Sequence, residues 1–131
     1  MALHFLDTSV CVTLLRGHAS LRQLPMLRDE CVLSSITVAE LLFGAQKSIQ
    51  PELQRRNVQD LIELFAQLPF EQNAAEHYGE IRAHLEKRGT PIGSLDQLIA
   101  AHARSLGAAL ITANLREFQR VPGLKCVPWK M

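Results

Sequence analysis

Leu3-His4-Phe5-Leu6-Asp7-Thr8-Ser9-Val10 decides the fold, because a short apolar run ends in a carboxylate and passes at once into hydroxyl residues and a helical pattern. Leu3 to Leu6 reads as a short strand, while Val10, Leu14 and Leu15 share one helical face that Gly17 closes. The same hand-over recurs at two further acids. Glu40 stands in Ser34-Ser35-Ile36-Thr37-Val38-Ala39-Glu40, after Val32 and Leu33, and Asp96 stands in Gly93-Ser94-Leu95-Asp96, at the head of a long helical stretch. If the strands are parallel neighbours, all three acids reach the same end of one sheet. A carboxylate cluster there is a site for a divalent metal.

Working outward, the period predicts strands alternating with helices. A short helix is expected over Leu21 to Arg28, a strand over Val32 to Ser35, and a helix from Val38 to about Lys47 with Val38, Leu41, Leu42 and Ala45 in phase. Pro51 suits the first turn of a helix running to Ala66. Leu68 to Glu71 reads as a third strand or an extended link, and Ala74 to Arg88 as a helix ended by Gly89. A helix over Leu95 to Leu106 stops at Gly107, Ala109 to Thr112 forms the next strand, and a last short strand falls near Lys125 to Val127. Such alternation predicts an α/β/α sandwich with a mainly parallel central sheet flanked by helices, since parallel neighbours need crossovers. Ligands of such sheets bind beyond the carboxyl ends of the strands. Asp7 follows the first strand, Glu40 the second, and Asn114 lies two residues after Thr112 ends a later one.

Composition sets the bounds. At 131 residues and 47% apolar, the chain is expected to form one domain with a core of ordinary size. A net charge of +1 argues against strong non-specific attraction to nucleic acid, while the 14 dispersed Lys and Arg leave room for local basic patches. Cys11, Cys31 and Cys126 are odd in number, far apart and set among apolar residues, which points to core thiols in a reducing compartment. Nowhere do about 18 apolar residues run together. The expectation is therefore a cytoplasmic protein with neither signal peptide nor membrane span.

Each acid also admits a purely structural reading. Thr37-x-x-Glu40 is a capping box, Ser94 with Gln97 makes another beside Asp96, and Asp7 or Ser9 could cap the first helix. Taken jointly the acids read differently. At about 5 Å and an effective dielectric near 20, each pair of carboxylates repels by roughly 3 kcal/mol, more than the ~1 kcal/mol a cap contributes. A hard cation held by oxygen ligands would offset that repulsion, and the helix N-termini would keep the acids ionised for it.

These segments resemble the PIN-domain ribonucleases and, within them, the VapC toxins of bacterial toxin–antitoxin pairs. The resemblance spans nearly the whole chain and rests on Phe5-Leu6-Asp7-Thr8-Ser9-Val10, Thr37-Val38-Ala39-Glu40-Leu41, the stretch from Gly89 through Asp96 to Ala103, and Leu110-Ile111-Thr112-Ala113-Asn114-Leu115-Arg116-Glu117-Phe118 with Arg120-Val121-Pro122-Gly123-Leu124. It implies a single PIN domain over residues 1–131 and a metal-dependent endoribonuclease with Asp7, Glu40 and Asp96 in its acidic site. Many PIN domains carry an aspartate where this chain has Asn114. Glu117, in the Asn-x-x-Glu-Phe pattern of many VapC toxins, is then expected to supply that acid.

What the resemblance implies further is one firmly held Mg²⁺, with Mn²⁺ able to substitute, and a second ion that is weak or arrives with the RNA. Asp7 and Asp96 are expected as direct ligands, Glu40 as a ligand or water-orienting base, and Thr8, Thr112 and Asn114 as hydrogen-bonding supports. Expected partners are an RNA substrate, which for some members is the tRNA anticodon loop, a second copy forming a homodimer, and a cognate antitoxin whose tail places an Arg or Lys among the acids within a toxin–antitoxin hetero-oligomer. Rival readings are a housekeeping RNA-processing PIN nuclease, a degenerate nuclease kept as a binding partner, and a non-catalytic α/β ligand- or partner-binding module. A phospho-acceptor module would want an acid pair after strand one, whereas Asp7 is followed by Thr8 and Ser9. Elsewhere, His77, Glu80 and His84 read as polar residues of an amphipathic helix, His102 as packed or capped, Arg82, Arg116 and Arg120 as solvated surface, and Trp129 as a packing anchor.

Overall fold

A computed structural model describes residues 3–17 and 28–129 of the chain. Its strands are β1 (His4–Leu6), β2 (Cys31–Ser34), β3 (Ala66–Leu68), β4 (Ala109–Thr112) and β5 (Lys125–Pro128). They form one sheet in the order β3-β2-β1-β4-β5, every neighbouring pair parallel. Among the described residues six α-helices flank it: α1 (Thr8–Leu15), α2 (Ser35–Gln46), α3 (Pro51–Ile62), α4 (Gln72–Lys87), α5 (Ser94–Ser105) and α6 (Leu115–Phe118).

Adjacent residues of the central strands point to opposite faces, which is why helices cover both. Phe5, Val32 and Leu110 pack with Ile81, Leu85 and Ile99, whereas Leu6, Leu33 and Ile111 pack with Val10, Leu41 and Leu61. The first group joins α4 and α5 to the sheet and the second joins α1, α2 and α3. The chain builds outward from β1 to β3 on one side, then returns to lay β4 and β5 on the other. This reversal puts the crevice of the sheet at the carboxyl end of β1, between β2 and β4.

Several boundaries differ from expectation, each for a local reason. The third strand is Ala66–Leu68 rather than 68–71, because Pro69 has no N–H to continue the ladder with β2. As an edge strand with two of its three residues exposed, it shows no apolar alternation to read. Helix α3 ends at Ile62 and not at Ala66, its last turn tightened by the bonds from Leu64 N–H to Leu61 O and from Phe65 N–H to Ile62 O. No Gly or Pro marks that stop. Helix α2 begins at Ser35, three residues early, because Ser34 caps it by accepting from the Ile36 N–H at 3.1 Å. Thr37 is therefore a fully buried residue within the helix, and the Thr37–Glu40 capping box does not form. Around α5 the cap is Gly93, and Gln97 donates to the Ile92 carbonyl instead of closing a box with Ser94. The helix expected over 21–28 lies almost wholly outside the described residues. Cys11 and Cys31 are buried, Cys126 is half-buried, and all three are free thiols. No described helix is long and apolar enough to cross a membrane.

Candidate active site

Asp7 sits where β1 ends. Its backbone N–H extends the ladder to β4 by donating to the Ile111 carbonyl at 3.0 Å, and its side chain caps α1. Oδ1 accepts from the Ser9 N–H at 2.6 Å, the Val10 N–H at 3.2 Å and the Ser9 hydroxyl. Oδ2 accepts from the Thr112 hydroxyl at the end of β4. Thr112 is oriented in turn by the Asn114 N–H, which donates to its Oγ1 at 2.8 Å. With 3% of its surface exposed, Asp7 is a buried carboxylate held from both sides, which sets its direction as well as its place.

Glu40 projects from the second turn of α2, where its Oε1 accepts from the Thr8 hydroxyl at 2.6 Å. One hydroxyl thus connects the first residue of α1 to an acid that lies 32 positions away in sequence. Asp96 occupies the first turn of α5, its Oδ2 lying over Gly93, where an added Cβ would come within 3.1 Å. Glu117, on α6, accepts from Asn114 Nδ2 at 3.0 Å.

The electrostatics of Asp96 bind these pieces together. Its pKa is raised from 3.8 to about 6, first by burial, then by the charges of Glu117, Asp7 and Glu40, and last by a hydrogen bond with Glu117. Asp96 therefore senses three acids carried at or near the starts of three other helices, and Glu117 is hydrogen-bonded to it. The four carboxylates offer only oxygen, the donor set of a hard divalent cation. Among the described residues no three acid, His or Cys side chains are already drawn in as a cation cage; Asp7, Glu40 and Glu117 are instead turned toward Thr112, Thr8 and Asn114.

Beside the acids runs a mainly apolar groove of about 810 Å³ between α1, α2 and α3. Thr8 and Glu40 line it together with Val12, Phe43, Arg16 and Lys47. Phe43 is 65% exposed, and the Lys47 ammonium lies 5.2 Å from the centre of its ring.

Sequence reasoning gave Ser9 only as an alternative cap and offered nothing for Gly93. Ser9 gives Asp7 both its N–H and its hydroxyl, an arrangement signalled by the two-residue spacing of an Asx turn. Gly93 leaves room for the Asp96 carboxylate, and no feature of the sequence points to that approach. Other residues lie elsewhere. His77 and Glu80 are not free surface groups, since Arg104 donates to His77 Nδ1 at 2.8 Å and to Glu80 at 2.7 Å. Arg82 pairs with Glu86, Arg120 donates to the Pro91 carbonyl, and Trp129 is buried.

Comparison with known proteins agrees with this architecture. Residues 4–124 match the PIN domain family. The chain is 39% identical to the tRNA(fMet)-specific endonuclease VapC of Salmonella typhimurium strain LT2, covering 95% of this chain and 96% of that protein. It is 38% identical to the ribonuclease VapC2 of Haemophilus influenzae strain Rd, over 98% and 99% of the two chains. Among solved structures, a chain of DNA-bound VapBC from Salmonella typhimurium superimposes with a TM-score of 0.93 at 39% identity, covering 99% of this chain and all of that one. The chain belongs to the PIN-domain family and, within it, to the VapC proteins.

Proposed function

We propose that this chain is the toxin of a type II toxin–antitoxin pair, a Mg²⁺-dependent endoribonuclease that hydrolyses phosphodiester bonds in RNA. The observation that carries the reading is the convergence of Asp7, Glu40 and Glu117 on Asp96, whose proton is held to about pH 6 by burial and then by their charges. Such a cluster is costly to folding unless a cation offsets it. Asp7, Asp96 and Glu40 would hold the metal, with Glu117 adding the charge that Asn114 lacks and Mn²⁺ able to replace Mg²⁺. When bound, the ion would supply Lewis-acid stabilisation of the phosphate and a more acidic water.

The protein's own residues have separable tasks. Thr112 and Ser9 orient Asp7, whose Oδ2 accepts a single hydrogen bond and so would keep a lone pair for a ligand. Thr8 holds the Glu40 carboxylate by Oε1, leaving Oε2 to accept a proton from the attacking water. Asn114 keeps Glu117 turned toward Asp96. Because Gly93 gives Asp96 its room, Gly93→Ala is expected to slow cleavage about tenfold, the scale of disturbing a group that orients a ligand, while the poorer alanine cap lowers the melting temperature by only a few degrees. Unchanged cleavage in that variant would mean that Asp96 has latitude there.

A tRNA is the substrate class favoured by the Salmonella relative, named for cutting tRNA(fMet). The solved relatives are described as VapBC complexes, which supports a cognate antitoxin as partner. Its tail would lie in the groove, apolar side chains against Val12 and Phe43 and a cationic one reaching Glu40. A homodimer completes the assembly. Expression of the chain alone should arrest bacterial growth, and co-expression of the protein encoded beside it should relieve the arrest. Growth without arrest would favour a housekeeping RNA-processing nuclease.

A further inference from the structure

His102 lies on α5 with 2% of its surface exposed, and no role at the acids has been given to it. Its Nδ1 stands 2.8 Å from the hydroxyl of Ser34, itself fully buried at the end of β2. That hydroxyl already accepts from the Ile36 N–H, so its own hydrogen is available for the imidazole. The ring also meets the backbone carbonyl of Pro69. A carbonyl only accepts, so the hydrogen belongs on Nε2 and Nδ1 accepts from Ser34. Donors and acceptors then match from the Ile36 N–H through Ser34 to His102 Nδ1, with the imidazole neutral. Burial lowers the pKa of His102, consistent with that state. Phe5 and Phe70 pack on the ring at centroid distances of 4.8 and 5.6 Å, and the Phe70 N–H donates to Ser35 at 3.1 Å.

This junction braces the two long helices that carry acids. Glu40 lies six residues after Ser34 on α2, and Asp96 six residues before His102 on α5, so the tie is about 9 Å of helix from each. Thr37 adds no second tie, since its buried hydroxyl has no partner. A tilt of about 5° at the junction would move Glu40 by about 0.8 Å. Ligand groups need to be held within about 0.5 Å.

We infer that His102 is a positioning residue: through its hydrogen bond to the Ser34 cap it fixes α2 against α5 and so sets where Glu40 stands relative to Asp96. The functional consequence rests on the reading of the acids as a metal-holding site, whereas the brace itself does not. His102→Phe keeps a ring against Phe5 and Phe70 but removes both nitrogens. His102→Gln returns one acceptor and one donor at a similar spacing. In metal-free protein at about pH 8, the carboxyl ¹³C shifts of Glu40 and Asp96 should move in His102→Phe and return toward wild type in His102→Gln. Mn²⁺ affinity, measured by electron paramagnetic resonance, should weaken about tenfold in the first and recover in the second. Should His102→Phe fail to fold, Ser34→Ala opens the same tie from the other side and is read in the same way. A lower melting temperature with both carboxyl shifts unmoved would overturn the proposal. Shifts that move as stated in a protein whose wild type binds no Mn²⁺ would uphold the brace and remove the metal-holding reading instead.

Discussion

Asp96→Asn is expected to abolish RNA cleavage, by on the order of a thousandfold, while making the metal-free protein more stable at neutral pH. Disturbing a group that merely orients a ligand costs about 10–100-fold, so removing the charge of a ligand should cost more. The stability gain has the opposite origin. The folded-state pKa of Asp96 lies at about 6 against an ordinary 3.8, so between those values the folded chain holds a proton that the unfolded chain releases. The contribution of Asp96 to the stability of the wild type is therefore full below about pH 4, is lost as pH rises to about 6, and stays absent above it. Solvent screening at a half-buried carboxylate reduces the loss to about 1 kcal/mol, or a few degrees of melting temperature. Asparagine does not ionise and escapes that loss. The gain should shrink to nothing below about pH 4, and a destabilised variant at neutral pH would mean that Asp96 serves folding as a cap.

Metal affinity is expected to rise with pH and level off above about 7. A cation must displace the proton that Asp96 keeps to about pH 6, so each ion bound at pH 5 should release about one proton. Below the pKa, affinity for Mg²⁺ or Mn²⁺ should increase about tenfold per pH unit. Glu117→Gln removes the largest charge acting on Asp96 and leaves an amide able to donate to the Asp96 carboxylate, so it should move this dependence to lower pH. Calorimetry in buffers of different ionisation heat reads the proton count directly. Affinity that is flat from pH 5 to 8 would show that Asp96 is not among the ligands.

The legible parts of this chain were those where one residue type has one physical use. Asp7 could be read because an acid ends an apolar strand, and Gly17, Gly89 and Gly107 marked helix ends through the left-handed backbone that all three adopt. The alternation of strands with helices gave the sheet, and its switch point gathered acids that lie far apart in sequence. The start of α2 lies earlier than its apolar spacing implies because Ser34, Ser35 and Thr37 are all competent caps, and only packing decides among them. Edge strand β3 carried no pattern, since two of its three residues face solvent. The approach of Asp96 to Gly93 and the tie from His102 to Ser34 depend on tertiary placement across the fold, which no local spacing encodes.

The most direct test of the account is cleavage of end-labelled small RNA by the purified, antitoxin-free protein in Mg²⁺, Mn²⁺ or EDTA, beside Asp96→Asn prepared identically. Discrete cuts that require the metal and vanish in the folded variant are the predicted result. Cuts that persist in EDTA or in Asp96→Asn, or folded wild type that cuts nothing with either metal, would contradict it.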